Sequence, residues 1–148
     1  MVLFYSQLMS IKPLFIVVED DEDDRDLLQL ACQEGEYNCE LVFAEDGQHA
    51  LEVLQSLKTR PSVMLLDINM PKMGGLALLE KLKNSSVWKE MPIVMLTTSD
   101  NEDTIHRAYG LGANSYIVKP TNFRGLSNLW DTVYHFWTDT VQLPVQAS

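Results

Sequence analysis

Glu19, Asp20, Asp67, Thr97 and Lys119 are the residues of this 148-residue chain whose types and positions could do chemistry together. Each lies at the end of a short apolar run: Leu14–Val18, Val63–Leu66, Ile93–Leu96 or Tyr116–Val118. Three ionised carboxylates brought close together repel one another, so the grouping calls for a cation. Hard oxygen donors without imidazole or thiolate select Mg²⁺ or Mn²⁺ over zinc. Mg²⁺ keeps several waters, which leaves room for phosphoryl oxygens. The Thr97 hydroxyl can hydrogen-bond one such oxygen, and the Lys119 ammonium can neutralise another as a point charge. The chemistry implied is phosphoryl transfer to a carboxylate, driven by positioning and electrostatic stabilisation.

Other site types fit less well. Counting from Asp20, a calcium-binding loop would need Gly at the sixth position and Glu at the twelfth, where Arg25 and Ala31 stand. The glycine-rich loops of nucleotide sites are absent. His49, His106 and His135 have no paired nucleophile and read as ordinary surface or core histidines.

These residues need a scaffold that delivers them to one edge. The apolar runs read as strands buried on both faces, with Cys39–Ala44 a weaker fifth. Helical spacing separates them: Leu27, Leu28, Ala31 and Cys32; Ala50, Leu51, Leu54 and Leu57; Leu76, Leu79 and Leu82; Ile105, Ala108 and Tyr109. A long last helix is expected from Asn122 to Asp139, capped by Thr121 or Asn122, with Phe136 and Trp137 on its apolar face. Strands alternating with helices predict an α/β fold: a five-stranded parallel sheet with five helices, covered on both sides. Ligands of such sheets bind at the carboxyl ends of the strands, where the five residues fall.

Composition narrows the function classes. There are 21 acidic and 11 basic residues, a net charge of −10, and no basic stripe, so a nucleic-acid partner is not expected. Seven of the acidic residues crowd into Glu19–Asp26, with only Arg25 to offset them. No apolar run approaches the roughly 18–20 residues of a membrane span, so no membrane association is expected. Cys32 and Cys39 read as reduced thiols of a cytoplasmic protein, without zinc-site spacing.

Four motifs taken in order resemble the receiver domains of two-component response regulators. They are Val17-Val-Glu-Asp20, Leu65-Leu-Asp-Ile-Asn-Met-Pro-Lys-Met-Gly-Gly75, Val94-Met-Leu-Thr-Thr-Ser99 and Tyr116-Ile-Val-Lys-Pro120. The resemblance implies a flavodoxin-like doubly wound fold with strand order 2-1-3-4-5, spanning residues 11–140 between an N-terminal extension (1–10) and a tail (141–148). It implies Asp67 as phosphoacceptor, and Glu19, Asp20, Asp67 and the Asn69 backbone carbonyl as holders of Mg²⁺ or Mn²⁺. Asp20 is then the more direct ligand, with Glu19 acting through water. Thr97 and Lys119 would contact the phosphoryl group, with Thr97 and Tyr116 as the moving switch pair. A cis Lys119–Pro120 bond and a Gly74-Gly75 turn with positive φ belong to the same expectation. Thr98 is bulkier than the Ala or Gly of many receivers and is expected to narrow access to the phosphoryl group.

The ending Tyr134-His-Phe-Trp-Thr-Asp-Thr-Val-Gln-Leu-Pro144 is similar to that of the small regulators serving bacterial phytochrome kinases. That likeness implies a sensor histidine kinase partner of the bacteriophytochrome type. It also implies a homodimer, with Phe136, Trp137, Val141 and Leu143 as interface candidates. Asn69 stands two residues after Asp67, where aspartyl-phosphate phosphatases carry an acid/base carboxylate, so turnover of a separate substrate is not expected. The competing reading is a constitutive protein-interaction module that keeps the fold without being phosphorylated.

Overall fold

A computed structural model describes residues 12–144; the N-terminal extension and residues 145–148 of the tail lie outside the described residues. The order of elements is β1 (Leu14–Val18), α1 (Glu22–Glu34), β2 (Glu40–Ala44), α2 (Gly47–Ser56), β3 (Val63–Leu66), α3 (Gly75–Lys83), β4 (Ile93–Thr97), α4 (Glu102–Gly110), β5 (Ser115–Val118) and α5 (Phe123–His135). All strand pairings are parallel, in the order β2-β1-β3-β4-β5. The expected doubly wound fold is therefore present.

Alternate residues of each central strand feed opposite cores. Ile16, Val18, Met64, Leu66, Ile93 and Met95 pack with buried leucines of α2 and α3 and with Ala108 of α4. Phe15, Val17, Leu65, Val94 and Leu96 pack instead with α1 and α5. Trp130 anchors that second core, its ring edge-on to Phe15 at 5.0 Å. Burial on both faces explains why β1, β3 and β4 are continuous apolar runs rather than alternating ones.

Several helices start where polar side chains can satisfy free amides. Asp21 caps α1 by accepting from the amides of Asp23 and Asp24, and the acidic first turn suits the helix dipole. Asp46, Asn101 and Asn122 cap α2, α4 and α5 in the same way.

The structure corrects some expected boundaries and faces. Cys39 precedes β2 rather than belonging to it, and Leu57 caps the end of α2. Leu27 and Tyr109 are exposed, because Leu28 and Ala108 take the buried positions of α1 and α4. The last helix is not one α-helix to Asp139. It changes at Phe136 into a π-helical turn, Phe136–Thr140, closed by the amide of Val141 donating to the Phe136 carbonyl at 3.0 Å. The wider turn breaks the 3.6-residue period, so Phe136 is exposed while Trp137 still packs on the second core.

His135 sits at this junction between Asp131 (Nε2 to Oδ1, 3.4 Å) and Asp139 (Nδ1 to Oδ2, 2.7 Å). The bond to Asp139 and the charge of Asp131 raise the imidazole pKa, while Asp139 is held below the usual carboxylate range. The attraction is present below the ordinary histidine pKa and is lost as pH rises through the raised one. An NMR titration of His135 should therefore show a midpoint above the ordinary value, moved down in Asp139→Asn. A midpoint insensitive to that substitution would refute the pairing.

Candidate functional site

The site lies at the carboxyl ends of β1, β3, β4 and β5. Glu19 and Asp20 follow β1, Asp67 follows β3, Thr97 ends β4 and Lys119 follows β5. Parallel pairing of β1 with β3 aligns Val18 with Leu66, which puts the three carboxylates side by side. One carboxylate oxygen each from Glu19, Asp20 and Asp67 lie within 4.8 Å of one another. Glu19 and Asp67 are buried, whereas Asp20 faces solvent.

The charges are partly balanced from within the chain. The Lys119 ammonium bonds the Glu19 carboxylate and, at 3.0 Å, Asp24 Oδ2. Burial pushes the Glu19 carboxyl up to about 7, against the lowering effect of its bond to Lys119. Burial works against the Lys119 charge, but its bonds to Glu19 and Asp24 outweigh that and hold its pKa above the usual lysine value. Asp67 Oδ1 accepts from the Ile68 amide at 2.9 Å. Thr97 Oγ1 is fully buried and has no hydrogen-bond partner, a costly state unless an acceptor arrives.

Asp24 and Arg25 are contributors that residue-by-residue reading of strand ends does not single out. Both come from the first turns of α1. Arg25 donates from Nη1 to the Glu19 carbonyl at 2.7 Å, which holds the end of β1. The signal was its position as the lone cation of the acidic run.

Gly75 has a different role from the one expected. Neither Gly74 nor Gly75 has positive φ; the left-handed residue in this loop is Lys72, at φ 62°. Gly75 is required by proximity instead, since a Cβ there would stand 2.0 Å from the Asp67 carbonyl oxygen. No cis peptide bond occurs among the described residues, so Lys119–Pro120 is trans, the less costly isomer. Lys119 reaches both carboxylates from it. Asn69 lies exposed on the turn after Asp67, and Tyr116 is half-buried, its hydroxyl donating to the Ser99 carbonyl at 2.8 Å.

Residues 15–130 match the response regulator receiver domain. The chain belongs to that family. Among its relatives, this receiver is 35% identical over 136 residues to response regulator Rcp1 of Synechocystis sp., covering 88% of this chain and 92% of the relative. It is 35% identical over 105 residues to chemotaxis protein CheY1 of Helicobacter pylori, covering 71% and 83%. The phosphorylated cyanobacterial phytochrome response regulator RcpA superposes with a TM-score of 0.85 at 34% identity, over 91% of this chain and all of that one. The Mn²⁺-bound form of Rcp1 superposes with a TM-score of 0.80 at 34% identity, over 90% and 99%. The small phytochrome-associated regulators are thus the branch this receiver resembles. No helix among the described residues is long and apolar enough to cross a membrane.

Proposed function

We propose that this receiver accepts a phosphoryl group on Asp67 from a sensor histidine kinase of the phytochrome type and signals to a protein partner in the cytoplasm by changing conformation. The observation that carries this is the unpartnered, fully buried Thr97 hydroxyl at the end of the strand beside the one that delivers Asp67. A buried donor without an acceptor is what a site waiting for a phosphoryl oxygen would hold.

Asp67 Oδ1 is occupied by the Ile68 amide, which leaves the other oxygen as the nucleophile. That oxygen bonds to phosphorus as the donor's bond to phosphorus breaks, giving an acyl phosphate and the free donor. Lys119 then exchanges Glu19 or Asp24 for a phosphoryl oxygen, and Thr97 donates to another. Glu19, Asp20 and Asp67 bring together carboxylate oxygens that fit Mg²⁺ or Mn²⁺, and the Asn69 carbonyl would add a fourth oxygen. The bound ion would supply charge neutralisation for the carboxylates and the transferring group. Thr97 and Tyr116 serve as the switch pair, with the Tyr116–Ser99 bond as the contact to be exchanged. The receiver turns over no separate substrate.

The test is incubation with a small-molecule phosphodonor and Mg²⁺, followed by intact-mass measurement. One added phosphate is expected, and none in Asp67→Asn. No modification of the native chain under any Mg²⁺ condition would favour a constitutive interaction module. Thr98 is exposed at the rim of the cavity beside the site. Thr98→Ala should speed loss of the phosphate, and an unchanged decay rate would remove Thr98 from the account.

Self-association through the end of the chain belongs to the same proposal. Phe136 is exposed, and Val141 and Leu143 are only half-buried. Tyr109 and Val118 add exposed apolar surface on α4 and β5. Sedimentation should show a dimer at micromolar concentration, weakened by Phe136→Asp, whereas a monomer at high micromolar concentration would exclude it.

A further inference from the structure

We propose that Cys32 and Cys39 are a redox pair that closes reversibly into a disulfide and locks the α1–β2 connection onto α5. Both thiols are free, and their sulfurs lie 3.4 Å apart. A disulfide bond is about 2.05 Å long, so only a small approach separates the two states. This closeness is imposed by the backbone between them. The Gly35 amide donates to the Ala31 carbonyl, the Tyr37 amide to Cys32 and the Cys39 amide to the Tyr37 carbonyl. Glu36 adopts a left-handed conformation at φ 55° to make the turn.

The loop is also seated on the last helix. The Tyr37 hydroxyl donates to Asp131 Oδ1 at 2.6 Å, and its ring packs edge-on to Trp130 at 6.2 Å. A cross-link from Cys32 to Cys39 would tighten the segment that carries Tyr37. It would thereby stiffen the face shared by α1 and α5. The other end of α1 supplies Asp24 to the Lys119 ion pair, so one helix connects the thiols to the acidic site.

The oxidant class is a hydroperoxide. Cys39, the less buried thiol, attacks the peroxide oxygen as its thiolate. The O–O bond breaks, releasing water or an alcohol, and Cys39 becomes a sulfenic acid. The Cys32 sulfur then attacks the Cys39 sulfur, the S–O bond breaks, and the departing hydroxide takes the Cys32 proton to leave as water. Two thiols lose two electrons and two protons in all, and the peroxide is reduced. Burial and the Cys32 hydrogen bond push the Cys39 thiol up to about 12. The first step is therefore slow at neutral pH and accelerates as pH rises. The second step joins atoms already in contact, so sulfenic acid should not accumulate.

The experiment uses the reduced full-length chain, treated with hydrogen peroxide at neutral and mildly alkaline pH, then denatured and alkylated. The expected product is lighter by the mass of two hydrogens and resists alkylation at both cysteines. It yields a linked Cys32–Cys39 peptide, reverts with dithiothreitol and has a raised thermal midpoint. Cys39→Ser should lose that product and instead gain oxygen at Cys32 or remain alkylatable there. Three results would overturn the proposal: oxygen added to the native chain without the linked peptide, a bridge between two chains instead of within one, or two alkylatable thiols after a free-thiol peptide in the same tube is fully oxidised.

Discussion

Gly75→Ala should cost about 3 kcal/mol of stability and abolish phosphate uptake, although it alters no reacting atom. The added methyl would stand 2.0 Å from the Asp67 carbonyl oxygen and 2.8 Å from Ile68 Cα, both backbone atoms. A side chain could turn away, but backbone at the end of β3 cannot, because the Asp67 amide is tied to the Val18 carbonyl. The strain must therefore move the carboxylate itself or unwind the start of α3, where the Gly75 amide bonds the Ile68 carbonyl. For a domain of this size the loss corresponds to a fall in Tm of roughly 6–12 °C. Gly74→Ala is the control. Its methyl meets only the Ile68 carbonyl oxygen at 3.4 Å, and its cost as a helix cap should stay within about 1 kcal/mol. Equal stability and phosphate uptake in the two variants would show that the close approach does not position Asp67.

Lys119→Met should destabilise the metal-free protein strongly, and more at pH 8 than at pH 6. Removing one partner of a buried ion pair typically costs about 3–5 kcal/mol. Glu19 has an escape that limits the cost, since burial already raises its pKa from 4.5 to about 7 and it can take up a proton. A carboxyl raised on folding contributes fully below its unfolded pKa and loses that contribution as pH climbs through the folded value. Without Lys119 the folded value moves higher, so the protein keeps losing stability above pH 7, where the native protein has levelled off. Each further pH unit is worth up to about 1.4 kcal/mol. Denaturant unfolding in EDTA at the two pH values measures the difference, and Glu19→Gln in the same background should remove it. A pH-independent loss would mean that Lys119 acts through Asp24 rather than Glu19.

Much of this was legible in the sequence. Continuous apolar runs marked β1, β3 and β4 because both faces of a central parallel strand are buried, and the residue after each run is then a site residue by geometry. The edge strand β2 was harder to place, being exposed at Glu40 and only half-buried through Phe43. The end of α5 could not be read from periodicity, because a π-turn changes the period itself. Asp24 is hard to single out for a related reason: a carboxylate within an acidic run looks like solvated helix start until Lys119 is placed beside it. Gly74-Gly75 reads from the sequence as a positive-φ turn, whereas Gly75 is needed for its close approach to Asp67. Turn chemistry depends on φ, which sequence suggests, whereas the approach of Gly75 to Asp67 depends on tertiary distance, which it does not. The nearness of Cys32 and Cys39 was hidden likewise, since a seven-residue separation has no fixed distance until the loop closes.

Glu19 and Lys119 meet across 100 residues of chain. During synthesis the carboxylates at β1 and β3 therefore emerge well before the ammonium that will pair with Glu19. Synthesis runs at roughly 5–20 residues per second, so the 52 residues from Asp67 to Lys119 correspond to an interval on the order of seconds. A ribosome-bound fragment ending before β5 would carry Asp67 without Lys119 or the last sheet strand. On the function proposed above, competence would thus be acquired late, and a truncated or stalled product would take no phosphate instead of being partly active.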